Sequence, residues 1–105
     1  MSTLSTHVLD AALGVPAAGL EVTLSDGDAV LALASTDDDG RVRFEPDLGR
    51  GAHTLTFATG AWFAAAGRST FFPEVSVVFE VDPGLEHHHV ALLLSPYSYT
   101  TYRGS

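Results

Sequence analysis

The stretch Leu20-Glu21-Val22-Thr23-Leu24-Ser25-Asp26-Gly27-Asp28-Ala29-Val30-Leu31-Ala32-Leu33 decides the fold class. Its first five residues alternate apolar and polar, the period of a strand with one wet face. Ser25-Asp26-Gly27-Asp28 holds the residues that favour a tight turn, and Ala29 to Leu33 resumes an extended run, so the whole reads as a β-hairpin. The same pattern recurs outward in both directions. Thr3 to Asp10 reads as a first strand, followed by the turn-like Leu13-Gly14-Val15-Pro16. Asp37-Asp38-Asp39-Gly40 reads as a turn before the strand Arg41-Val42-Arg43-Phe44. His53 to Phe57 alternates again, Phe71-Phe72-Pro73 opens onto the strand Val75 to Val81, and Asp82-Pro83-Gly84 turns into His87 to Leu94, read as the final long strand. Only Ala61 to Ala66, stopped by Gly67, has helical character. Seven or eight short strands with Gly, Pro and Asp turns predict an all-β fold, an antiparallel sandwich forming one domain over residues 1–105.

A chain of 105 residues has room for one core, with roughly 5,600 Å² of folded surface expected for its size. Cysteine is absent, which excludes a disulfide scaffold, thiol chemistry and thiolate metal ligands. Five arginines face 13 acidic residues for a formal charge of -8, a balance that argues against a nucleic-acid partner. It leaves room for a small anionic substrate, because one arginine in a dry cleft reverses the local field. The start Met1-Ser2-Thr3-Leu4-Ser5-Thr6-His7 lacks a basic region followed by an apolar run, and Val90 to Leu94 is too short to cross a bilayer. The expectation is a cytoplasmic protein with no membrane partner.

The densest chemistry lies in Glu86-His87-His88-His89. On a strand, His87 and His89 share one face and His88 takes the other. Such a pair suits acid–base work, and it also supplies two zinc ligands if His7, His53 or a carboxylate adds a third. The acidic run Asp37 to Asp39 resembles part of a calcium loop, but Pro46 stands where the closing glutamate is required, so it reads as a solvated turn. His7 by itself reads as an ordinary surface or core histidine, and Arg41 as an exposed arginine or a partner of the acidic turn. The tail carries Tyr97, Tyr99, Tyr102 and Arg103, residue types enriched in packed interfaces; its plain reading is an adherent edge segment.

Five pieces in order connect these features: Ser5-Thr6-His7-Val8-Leu9-Asp10 with Gly14-x-Pro16-Ala17; Thr36-Asp37-x-Asp39-Gly40-Arg41; Phe71-Phe72-Pro73-Glu74; Glu86-His87-x-His89-Val90-x-Leu92-Leu93-Leu94-Ser95-Pro96; and Tyr102-Arg103-Gly104-Ser105. Together they make the chain resemble the transthyretin-related 5-hydroxyisourate hydrolases over its whole length. The resemblance implies a sandwich of two four-stranded sheets with one short helix, assembled as a homotetramer. It implies hydrolytic ring opening of 5-hydroxyisourate to 2-oxo-4-hydroxy-4-carboxy-5-ureidoimidazoline, with no metal and no cofactor. The implied catalytic residues are His7, Arg41 and His89, and the implied substrate-binding residues are His87, Tyr102, Arg103, Gly104 and Ser105. In the preferred assignment His7 activates water as general base, Arg41 orients substrate and stabilises charge, and His89 assists proton transfer; the histidine roles can also be exchanged. Two positions depart from the family pattern: Ala91 replaces the usual proline and His88 a frequent tyrosine. The rival expectations are a transthyretin-like carrier without turnover and a zinc-dependent cyclic amidohydrolase.

Overall fold

A computed structural model describes residues 2–105. The elements run β1 (Ser2–Asp10), β2 (Val15–Pro16), β3 (Glu21–Asp26), β4 (Ala29–Ser35), β5 (Arg41–Leu48), β6 (Gly51–Phe57), α1 (Thr59–Ala65), β7 (Val75–Val81), β8 (His87–Ser95) and β9 (Ser98–Arg103). They build two sheets. One has the order β4-β3-β6-β7; in the other β1 lies beside β8, with β9 beyond it. On its far side β1 pairs with β5 along Ser2 to His7 and with the two-residue β2 at Leu9 and Asp10. The second sheet is therefore four strands wide, with β2 a short fifth piece in line with β5.

Alternation explains how the sheets stack. Leu4, Thr6 and Val8 of β1 are buried, as are Val22 and Leu24 of β3, Val42 and Phe44 of β5, Leu55 and Phe57 of β6, and Leu92 and Leu94 of β8. Each large apolar side chain removed from water contributes about 1.5–3 kcal/mol, and a one-residue slip would turn the whole set outward. Phe63 of α1 closes the core. The accessible surface is 5844 Å², close to the value expected from chain length.

Three features refine the sequence reading. The β1–β8 pair is parallel, from Thr3 opposite His87 to Asp10 opposite Leu94; the whole β4-β3-β6-β7 sheet intervenes in the chain, so no hairpin forces them antiparallel. His87–Ser95 is not the last strand, since β9 folds back on it from Ser98 opposite Ser95 to Arg103 opposite Val90. Its residues are all exposed, so β9 lacks the apolar alternation that marks the other strands. The helix begins at Thr59 rather than Ala61, because the Phe71-Phe72-Pro73 strap docks on its first turn: Thr59 Oγ1 donates to Phe72 O at 2.8 Å and Gly60 N to Pro73 O at 2.8 Å. No helix among the described residues is long and apolar enough to cross a membrane.

Two polar ties fix the end of the sandwich behind β1. The buried Asp10 carboxylate accepts from Arg68 Nη1 at 2.6 Å and from the Ala12 and Leu13 amides at 3.1 Å each. Thr36 Oγ1 donates to Ala17 O at 2.6 Å and accepts from Leu20 N at 2.9 Å. Gly40, at φ +76°, packs so closely on the Val8 carbonyl that a Cβ would overlap it. Only glycine serves here, and that close approach brings Arg41 beside β1.

Candidate active site

The same alternation that buries Leu4, Thr6 and Val8 turns Thr3, Ser5 and His7 outward, and the sheet register decides what meets them. His7 lies opposite Arg41 on β5 and opposite Ala91 on β8. Ser5 lies opposite Arg43 and His89, and Thr3 opposite His87. On β9, Tyr102 lies opposite Ala91, and Gly104 N donates to His89 O at 2.8 Å. Side chains far apart in sequence thus form two rows across one sheet face, Arg41–His7–Ala91–Tyr102 and Arg43–Ser5–His89–Gly104.

Local devices aim each of them. One carboxylate oxygen of Asp37 accepts from the amides of Asp39 and Arg41 at 2.9 Å each, so this member of the acidic run shapes the turn that launches β5. Gly104 sits against His89: an added Cβ would overlap ring atom Cδ2. The two outward histidines are held by hydroxyls. Thr3 Oγ1 lies 2.6 Å from His87 Nδ1, Ser5 Oγ lies 2.8 Å from His87 Nε2, and the same Ser5 Oγ lies 2.7 Å from His89 Nδ1. Sequence reasoning assigned no role to Thr3 or Ser5, whereas it read Asp37 as part of a turn, as its two amide bonds bear out. Strand period places Thr3 and Ser5 on the face of His7, but the side chains that meet them there are set by the register with β8.

His88 turns to the opposite face, as the strand argument expects. It is buried, its Nε2 accepts from Asp82 N at 3.0 Å, and its Nδ1 has no partner among the described residues.

Burial, then the charges of Arg41, His7 and His87, hold the His89 pKa below the ordinary value of 6.5. His87 is lowered as well, by burial and then by Arg43 and His88. Both rings therefore favour the neutral state at neutral pH, the form that accepts a proton.

A cleft of about 320 Å³ is walled by His87, His89, Arg103, Gly104 and Ser105, together with Leu85 and His88. His7 and Arg41 lie further along the same face. Tyr102 joins Arg103 in a second, mainly apolar cavity of about 310 Å³ between β7 and β9. Among the described residues no group of three His, Asp or Glu side chains is placed to hold a metal ion.

A family model described as "HIUase/Transthyretin family" matches residues 4–104. The chain is 46% identical over 115 residues to the 5-hydroxyisourate hydrolase of Caulobacter vibrioides, with the whole of both chains covered. It superposes on the structure of the Klebsiella pneumoniae 5-hydroxyisourate hydrolase with a TM-score of 0.92 and 44% identity, covering 100% of this chain and 94% of that one. It also superposes on sea bream transthyretin in complex with thyroxine, with a TM-score of 0.86 and 32% identity over 96% of this chain and 93% of that one.

Proposed function

The chain belongs to the HIUase/transthyretin family, and from that premise we propose that it hydrolyses 5-hydroxyisourate in urate degradation, using the outer face of the β1–β8 sheet. The observation that carries this reading is the convergence of His7, Arg41 and His89 from three strands, with Gly104 set against the His89 ring.

The reaction adds water to a ring carbonyl, breaks the carbon–nitrogen bond and places a proton on the departing nitrogen, giving 2-oxo-4-hydroxy-4-carboxy-5-ureidoimidazoline. His7 and His89 divide the proton transfers, one taking a proton from water and the other supplying the nitrogen. Arg41, directly across from His7, presents a planar set of charged donors to the oxygen that gains negative charge. His87 and Arg103 to Ser105 form the remaining wall, Tyr102 stands beside them opposite Ala91, and the chemistry proceeds without a metal or cofactor. The cleft is open on the single chain, and Phe71, Tyr97 and Tyr102 stay exposed at 73%, 71% and 54%, which supports a homotetramer whose clefts are closed by neighbouring subunits. Each chain acts as one domain of a cytoplasmic enzyme.

Following the decay of 5-hydroxyisourate, freshly made from urate with urate oxidase, tests this reading. Acceleration over the spontaneous rate that survives a chelator is expected. A thyroxine-type ligand bound without any turnover would instead favour a carrier, and activity lost to the chelator and restored by zinc would favour a metallohydrolase.

A further inference from the structure

Thr3 and Ser5, outside the assigned set, join His87 and His89 in an unbroken line Thr3–His87–Ser5–His89 on the sheet face. It follows from register: the parallel pairing places Thr3 beside His87 and Ser5 beside His89, and each hydroxyl falls within 2.6–2.8 Å of a ring nitrogen. The line can run in either direction, and the contact at its outer end favours one of them. Thr3 Oγ1 has Glu86 O 3.3 Å away, a long contact to a carbonyl that also accepts from Thr3 N at 2.9 Å; with the Thr3 proton directed there, Thr3 accepts from His87 Nδ1–H. His87 Nε2 is then the unprotonated nitrogen and accepts from Ser5 Oγ–H. Ser5, its proton used, accepts from His89 Nδ1–H. A neutral imidazole carries one N–H, so His89 Nε2 is left with a free lone pair.

Resting on the hydrolase reading above, we infer that Thr3, Ser5 and His87 are positioning residues that hold His89 as its Nδ1–H tautomer and so make His89, rather than His7, the general base. In the reaction His89 Nε2 takes one proton from water as the hydroxyl oxygen bonds to the ring carbonyl carbon. His89 becomes an imidazolium whose Nδ1–H stays on Ser5, the carbon–nitrogen bond breaks, and the departing nitrogen takes a proton from His7 or from His89 itself. The oppositely directed line would present His89 Nε2–H to the cleft, an acid where the first step needs a base. Wrong-tautomer histidines lose orders of magnitude in rate even when their geometry is intact.

The test combines ¹⁵N-histidine NMR of the intact wild-type protein with kinetics of Ser5→Ala and Ser5→Thr on enzymatically generated 5-hydroxyisourate. In the wild type, His89 should show a protonated Nδ1 and an unprotonated Nε2. Ser5→Ala should lose about 10-fold or more in kcat with KM within about 3-fold, and its His89 should show mixed tautomers. Ser5→Thr, which keeps the hydroxyl, should recover most of the rate. A wild-type His89 protonated at Nε2 overturns the inference, even if Ser5→Ala fails to fold. So does a Ser5→Ala enzyme with wild-type kcat. A wild type without turnover would instead contradict the hydrolase reading itself, while the NMR result would still judge the tautomer.

Discussion

Gly104 limits where the His89 ring can stand, because any side chain there would occupy the position of Cδ2. Gly104→Ala therefore pushes the ring from its seat on Ser5, and displacement of a reacting group by about 1 Å costs on the order of 100-fold. Stopped-flow kinetics should show that loss in kcat with the thermal midpoint little changed. Titration gives a second expectation. Burial and Arg41 disfavour the His89 imidazolium, so the neutral base persists below pH 6.5 and is lost only as pH falls through the lowered value. Removing the neighbouring charge with Arg41→Gln should move the NMR titration midpoint of His89 upward; an unchanged or lower midpoint would contradict the electrostatic assignment. His88 acts differently. It faces the core and accepts from Asp82 N, so His88→Ala should lower stability by about 1–3 kcal/mol while turnover of the folded protein stays within about twofold, measured by denaturant unfolding beside the assay.

At the scale of elements, β9 and the buried Asp10–Arg68 pair carry the expectations. Deleting residues 102–105 removes the pairing of Tyr102 and Arg103 with β8 and one wall of the cleft. Circular dichroism should show a folded chain and the assay a loss of most activity; full activity would return the tail to a mere edge. For Asp10, burial raises the carboxyl pKa, but the Arg68 hydrogen bond, the amides of Leu13 and Ala12 and the Arg68 charge together hold it below 3.8. The stabilisation is thus present above the unfolded value and is lost as pH falls through the folded one. Arg68→Ala should cost about 3 kcal/mol at pH 7, and the gap from wild type should shrink below pH 3.8 as Asp10 protonates. These elements also show what the sequence could tell. Alternation located β3 and β6 and placed His87 and His89 on one face, because period 2 is a local property. The match of β1 to β8 could not be read locally, since their register is set by packing between segments more than eighty residues apart. Without that register Ser5 looked like any strand serine. β9 escaped because an exposed edge strand needs no apolar face, and Arg68 because its partner is distant in the chain.

For the whole molecule, the sandwich leaves Tyr102 exposed next to the cleft residue Arg103 and Phe71 and Tyr97 exposed at the other end of β8. Light scattering should give four copies of the 11.0 kDa chain, about 44 kDa, and dilution that splits the assembly should lower specific activity if neighbouring subunits complete the cleft. The central claim is that this face of the sheet turns over 5-hydroxyisourate with its own histidines. The most direct measurement is the decay of freshly generated 5-hydroxyisourate in the presence of wild-type protein and of His89→Ala at equal concentration. The account predicts strong acceleration by the wild type and a loss of about 100-fold or more in the variant; equal rates for the two, or no acceleration by either, would contradict it.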